Sequence, residues 1–166
     1  MNRIDTDTLH QIAILRIFND SELKELLELG QQVRFESHAN IVIEGEMSWG
    51  LYILLEGQVT VLKKNKMSGN VYEITQLKNG SYFGEMSLID DQPRSATVRA
   101  LLDTELFFIS KDKFLNFLSD QRKIKFYASV IQDLVSKLRA LDEDYVVSQY
   151  QLWKKALSKE ESQEAA

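Results

Sequence analysis

Residues 83–100, FGEMSLIDDQPRSATVRA, carry the features that decide how this chain is interpreted. The stretch contains the only proline of the chain, Pro93, and places Glu85 nine residues before Arg94, with mostly small or apolar side chains around them. Two charges at this spacing form either a structural ion pair in a surface loop or two contacts to one small ligand. The surrounding sequence decides between these alternatives.

The chemistry of residues 83–97, called the cassette below, fits a sugar phosphate. Met86–Ile89 can form one helical turn, and the first amides of such a turn can bind an anion. Arg94 is the only cation of the cassette, and a guanidinium binds phosphate through two parallel hydrogen bonds. A carboxylate repels a phosphate unless it accepts a hydrogen bond from a hydroxyl of the same ligand. Arg94 therefore suits the phosphate and Glu85 a ribose hydroxyl, while Gly84 allows close approach of the backbone.

The region around the cassette predicts a mainly β fold. Six of the seven glycines lie between residues 45 and 84, and from Val33 onwards short runs rich in Val, Ile, Tyr, Phe and Thr alternate with turn residues. About seven or eight such strands, with no helix between them, predict an antiparallel β-barrel of the jelly-roll, double-stranded β-helix type. Gly57 predicts a tight hairpin turn, and residues 64–70 predict a second, looser hairpin.

Helices are predicted on both sides of the strands. Residues 6–17 predict a first helix, and the capping-box pair Asn19 and Glu22 predicts the start of a second that ends at Gly30. A short helix, KDKFLNFL, and a long one over 122–157 follow the strands. We expect three parts: N-terminal helices plus barrel (1–121), a long lid or dimerisation helix (122–157) and a flexible tail (158–166).

The long helix carries an apolar seam with alternating steps of three and four, which is the a/d pattern of a coiled coil. The seam consists of Ile124, Tyr127, Ile131, Leu134, Leu138, Leu141 and Tyr145. Its first half fits an amphipathic helix on the barrel as well as it fits a coiled coil. Its second half extends too far for a small barrel to cover, which favours a homodimer through this helix.

Composition excludes several classes of protein. The 166 residues carry a net charge of −5 and a pI of about 5.1, which argues against a nucleic-acid partner. Without cysteine, and with His10 and His38 far apart, no metal site is expected. The sequence contains no set of residues typical of a catalytic nucleophile, so no enzyme is expected. It also contains no signal peptide and no apolar membrane span. We therefore expect a soluble, cytoplasmic protein.

The cassette resembles the phosphate-binding cassette of cyclic-nucleotide-binding domains, the family that includes catabolite activator protein-like and protein kinase A regulatory subunit-like sensors. IFNDSELKELLEL resembles the N-terminal helix of that family, and VRFESHANIVIEGEMSWGLYILLEGQVTVL resembles its first strands, so the resemblance covers roughly residues 12–135. It implies cyclic AMP or cyclic GMP as the ligand, and no metal.

The resemblance also implies residue roles. Glu85 matches the residue that binds the ribose 2′-hydroxyl, Arg94 the phosphate-binding arginine, and Met86 and Ser87 the turn whose amides meet the phosphate. Ser95 follows the arginine, and a small residue there slightly favours cyclic AMP. The last helix covers the base in the family. The expected ligand-binding residues are Phe83, Gly84, Glu85, Met86, Ser87, Arg94, Ser95, Ala96, Val71, Tyr127 and Asp142.

Two functions remain open at this point. One is a stand-alone sensor with no output domain of its own, whose last helix changes conformation for an unknown effector protein. The other is a dimeric scaffold or adaptor with a degenerate, ligand-free pocket, in which Glu85 and Arg94 serve each other.

Overall fold

The computed structural model describes residues 4–47, 50–90 and 92–164, without the side chains of Ser87 and of residues 156–164. In these ranges, eight short strands form two four-stranded antiparallel sheets. One sheet has the strand order β1-β8-β3-β6 and the other β2-β7-β4-β5. The strands are β1 (Gln31–Phe35), β2 (Asn40–Val42), β3 (Gly50–Glu56), β4 (Gln58–Lys64), β5 (Val71–Lys78), β6 (Tyr82–Phe83), β7 (Thr97–Ala100) and β8 (Thr104–Ser110).

These sheets confirm the prediction of antiparallel strands with flanking helices. Within the described ranges, no strand pairing joins the two sheets into one closed ring, so the jelly-roll barrel stays a prediction. The loose hairpin is as expected, because β4 and β5 pair antiparallel from Gln58↔Lys78 to Lys64↔Val71.

The turn at Gly57 differs from the predicted hairpin. Strand β3 pairs with β6 and β8, whereas β4 pairs with β5 and β7, so Gly57 carries the chain from one sheet to the other. Its φ of 108° lies in the region that favours glycine, and a Cβ there would come 2.7 Å from Thr104 Oγ1. A glycine between two strand patterns marks a sharp change of direction, and the strands on its two sides need not pair.

The helices are α1 (Thr6–His10), a 3₁₀ turn (Ala13–Leu15), α2 (Asp20–Leu29), α3 (Ser87–Asp90), α4 (Lys111–Phe117) and α5 (Asp120–Glu164). The single helix predicted over 6–17 is wrong, because the chain is extended at Ile12 (φ −78°, ψ 119°). On a continuous helix Ile12 and Ile14 would point about 160° apart, whereas the break allows both to be fully buried. The capping box of Asn19 and Glu22 and the helix end at Gly30 are confirmed.

Helix α5 packs on the domain through a different face from the predicted seam. Phe126 and Val130 are fully buried in the core, and the Ser129 hydroxyl donates to the Ala13 carbonyl over 3.2 Å. The seam residues Ile131 and Leu138 remain 59 and 60 % exposed. The long helix is therefore confirmed, while much of its apolar seam, including Ile131 and Leu138, remains exposed. No described helix is long and apolar enough to cross a membrane.

Candidate functional site

A cavity of about 410 Å³ lies between the sheet β2-β7-β4-β5, the cassette and helix α5. Val61 of β4 and Ile74 and Leu77 of β5 form its apolar side, and Lys137 of α5 also borders it. The cassette contributes a second wall through Phe83, Gly84, Glu85, Met86, Asp90, Gln92, Pro93, Arg94, Ser95 and Ala96.

Glu85 and Arg94 both border this cavity although both are buried, with exposures of 8 and 7 %. Arg94 Nη2 donates to the Gly50 carbonyl over 2.8 Å, and its guanidinium carbon lies 5.7 Å from the centre of the Tyr52 ring. Tyr52 in turn stacks on Phe83. Burial lowers the pKa of Arg94, and the nearby Tyr52 and Glu85 oppose that shift only in part. A cation held at this depth is suited to bind an anion in partly dry surroundings.

The backbone around Arg94 is fixed by the turn between β2 and β3. The Arg94 amide donates to the Glu46 carbonyl over 2.8 Å, and the Gly45 amide donates to the Arg94 carbonyl over 2.9 Å. These two hydrogen bonds set where the Arg94 side chain enters the cavity.

Gly84 is required by the same arrangement. Its φ is 92°, and a Cβ at this position would overlap the Arg94 guanidinium and come 2.6 Å from the Gly50 carbonyl oxygen. Any side chain here would displace the arginine that borders the cavity. The close approach expected at Gly84 is therefore made, in this structure, by Arg94 and Gly50.

A second cation reaches the cavity from α5. Lys137 Nζ lies 3.4 Å from Glu85 Oε1 and 2.8 Å from Asp133 Oδ2, and it sits 4.8 Å from the centre of the Tyr82 ring. Burial lowers the pKa of Lys137, but the hydrogen bond to Asp133 and the charge of Glu85 outweigh burial, so its pKa is raised overall. Lys137 therefore stays protonated beside Glu85.

The profile of the cyclic nucleotide-binding domain family matches residues 32–121, which is more than half of the chain. The chain belongs to the cyclic nucleotide-binding domain family.

Relatives of this cyclic nucleotide-binding domain include regulatory proteins and kinases. The chain is 34 % identical over 92 residues to a cAMP-dependent protein kinase regulatory subunit of Mucor circinelloides f. lusitanicus, covering 55 % of this chain and 21 % of that protein. It is 31 % identical over 111 residues to a cGMP-dependent protein kinase of Plasmodium berghei (strain Anka), covering 66 % of this chain and 12 % of the kinase. The chain thus spans about a fifth or less of these relatives' lengths.

A solved structure supports the same fold. The catabolite activator protein of Thermus thermophilus superposes with a TM-score of 0.70 at 24 % identity, over 81 % of this chain and 62 % of that one. At this identity the likeness shows the fold alone.

The structure brings most of the predicted ligand-binding residues together. Phe83, Gly84, Glu85, Met86, Arg94, Ser95 and Ala96 border one cavity, whereas the side chain of Ser87 lies outside the described part. Ser87 does start the predicted turn α3, in which the amides of Leu88 and Ile89 donate to the carbonyls of Glu85 and Met86.

Three predicted residues lie elsewhere. Val71 is 61 % exposed at the start of β5, opposite Lys64, and the strand brings Ile74, Thr75 and Leu77 to the cavity instead. Tyr127 lies beside Phe126 and is 37 % exposed, and Asp142 is exposed on α5. The placement of Tyr127 and Asp142 follows from which face of α5 packs on the domain.

Sequence reasoning missed Lys137, although a signal for it existed. Phe126, Val130, Asp133 and Lys137 follow each other at steps of four, three and four, so they lie on one helix face. Because Asp133 and Lys137 are charged, this face is less apolar than the predicted seam, which has the same spacing of three and four residues. Phe126 and Val130 place that face, with its two charges, against the domain.

Proposed function

We propose that this cyclic nucleotide-binding domain is a sensor for cyclic AMP that signals to a partner protein through helix α5. The observation that carries the proposal is the burial of Glu85 and Arg94 in the walls of one 410 Å³ cavity. That volume is within the range of small-molecule sites, about 300–1,000 Å³. A mainly apolar hollow with few charged groups is also typical of such sites.

Each charged group of the cassette has a role in this proposal. Arg94 binds the cyclic phosphate, because it is a buried cation beside the cavity and can offer two parallel donors. Glu85 accepts from the ribose 2′-hydroxyl, and the amides of Met86 and Ser87 meet the phosphate, as the family resemblance implies. Val61, Ile74 and Leu77 offer an apolar surface for the base.

The choice of cyclic AMP rests on the small residue after Arg94. Ser95 and Ala96, both small, follow Arg94 and border the cavity. The relatives themselves are named for cAMP in one case and cGMP in the other, so they do not favour either ligand. Titration calorimetry with both nucleotides tests the choice. A tenfold preference for cyclic GMP, about 1.4 kcal/mol, would contradict it.

Thermal denaturation tests nucleotide binding itself. A ligand at 100 times its dissociation constant should stabilise the folded protein by about 2.7 kcal/mol. We expect cyclic AMP to raise the melting temperature, while 5′-AMP and 5′-GMP at equal concentration leave it unchanged. If neither cyclic nucleotide shifts the melting temperature at millimolar concentration, the scaffold function with an empty pocket replaces the sensor.

We also propose that the protein forms a homodimer through helix α5. Ile131, Leu138 and Leu141 are 59 to 65 % exposed along one seam, and an a/d seam of this length is typical of a parallel coiled coil. Leu138→Glu would place two charges opposite each other in such a seam, and we expect it to yield monomers. Ser136→Glu, on the same helix but off the seam, is the matched control. Light scattering that finds the wild type monomeric at tens of micromolar would refute the dimer.

A further inference from the structure

Lys137 connects helix α5 to the cassette at the point where the helix leaves the domain. Every residue from Leu138 to Lys155 is exposed, whereas Lys137 contacts Glu85 at 3.4 Å and is held in place by Asp133 and the Tyr82 ring. Lys137 borders the cavity, and Glu85 is buried. The orientation of a buried cassette carboxylate is thus set in part by a residue of the last helix.

The pairing of Lys137 with Glu85 leaves room for a ligand hydroxyl. A carboxylate has two oxygens and about four acceptor positions, so Glu85 can receive Lys137 at Oε1 and a hydroxyl at Oε2. The ammonium also offsets the repulsion between Glu85 and a bound phosphate. Arg94 and Lys137 thus place two positive charges beside the cavity, against the negative charges of Glu85, Asp90 and the phosphate.

We propose that Lys137 is a positioning residue that holds the Glu85 carboxylate ready for the ribose 2′-hydroxyl, so that the preference for ribose over deoxyribose depends on helix α5. The inference rests on the proposed function, because it takes the 2′-hydroxyl as the ligand group that Glu85 binds. Its readout is the ribose preference, defined as the affinity for cyclic AMP divided by the affinity for 2′-deoxy cyclic AMP.

Calorimetric titration of both nucleotides into the wild type and four variants measures this ratio. We expect Lys137→Met and Lys137→Gln to lower the ribose preference about fivefold, as befits a half-exposed ion pair. Lys137→Arg, which keeps the charge, should retain it within about twofold. Lys123→Met is the matched control, since Lys123 lies on the same helix beside Asp120 of its own first turn and does not border the cavity.

The outcomes separate this inference from the proposed function. If the wild type binds neither nucleotide, the proposed function and the role of Lys137 are both overturned. If the wild type binds cyclic AMP and both neutral variants keep its ribose preference within twofold, Lys137 has only a structural role and the inference alone is overturned. If Lys137 had only a structural role, its substitution would change the melting temperature or lower the affinity for both nucleotides equally. The ribose preference would then stay unchanged.

Discussion

The cavity has two charged walls that are built in different ways. On the cassette wall, Arg94 is 7 % exposed and its amide and carbonyl are both fixed by the Gly45–Glu46 turn. On the α5 wall, the Lys137 side chain is 49 % exposed and is held by two carboxylates and a ring. The first wall is locked by backbone hydrogen bonds, and the second depends on how α5 packs. Affinity should therefore depend mostly on the first wall and selectivity partly on the second.

The largest effect is expected from Arg94→Ala on the cassette wall. Removing one member of a desolvated charge pair typically costs about 2–5 kcal/mol, because the other charge remains unpaired. The affinity for cyclic AMP should fall roughly 30- to several-thousand-fold, as measured by calorimetry. Arg99→Ala, at an exposed arginine of β7, is the control. An Arg94→Ala protein that binds within threefold of the wild type would show that the cassette does not hold the phosphate.

Glu85→Ala should have a smaller effect. It removes a charge-assisted hydrogen bond of about 1.5–3 kcal/mol, and it also removes a repulsion from the phosphate. The wild type should bind 2′-deoxy cyclic AMP weakly, whereas the Glu85→Ala variant should bind both nucleotides almost equally.

The structural ion-pair alternative makes an opposite prediction for these two variants. If Glu85 and Arg94 serve mainly each other, both substitutions lower the melting temperature of the ligand-free protein, and even the wild type binds no cyclic nucleotide. Melting curves without ligand, recorded beside the titrations with Glu143→Ala as control, distinguish these cases.

The cassette could be predicted from sequence because its chemistry is local. Glu85 and Arg94 lie within ten residues of each other, on either side of the turn α3, so the sequence alone places them near each other. The capping box of Asn19 and Glu22 is also local and was likewise predictable. The spacing along the chain determines the capping box completely, whereas the Arg94 side chain also depends on the distant Gly45–Glu46 turn and the Gly50 carbonyl.

The α5 wall could not be predicted in the same way. Two faces of this helix have coiled-coil-like spacing, and much of the more apolar one, including Ile131 and Leu138, remains exposed. The fit of Phe126 and Val130 into the core, with the hydrogen bond from Ser129 to Ala13, sets the rotation of the helix, and these contacts depend on residues far away in sequence. The sheet change at Gly57 was missed for a similar reason, because pairing partners are set by distant strands.

Gly84→Ala tests how closely the cassette wall is packed. The variant would strain the backbone at φ 92° and push against Arg94 and the Gly50 carbonyl. A strained conformation of this kind typically costs about 1–3 kcal/mol, so both the melting temperature and the affinity should fall. Gly69→Ala also has a positive φ, but a Cβ there meets no atom within 4 Å, so it isolates backbone strain from crowding. Equal losses in the two variants would mean that the contact with Arg94 is unimportant.

The smallest effects are expected at Tyr127 and Asp142, the α5 residues that were expected to bind the ligand. At 1.5 Å and 100° per residue, Asp142 lies about 7.5 Å beyond Lys137 and about 140° around the helix, and Tyr127 lies about 15 Å before it. Neither borders the cavity. Alanine at either position should therefore change the affinity for cyclic AMP less than twofold in the same titration.

A larger loss of affinity at Tyr127 or Asp142 would show that helix α5 moves when the ligand binds. If Asp142→Ala lowered the affinity for cyclic AMP tenfold while Tyr127→Ala did not, α5 would have to shift or rotate toward the base when the ligand binds. The face defined by Phe126 and Val130 would then describe only the ligand-free protein, and the resemblance would be the better guide to the bound state. If both variants bind like the wild type, neither side chain contributes to binding, whereas Lys137, which borders the cavity, is left as the α5 residue to test.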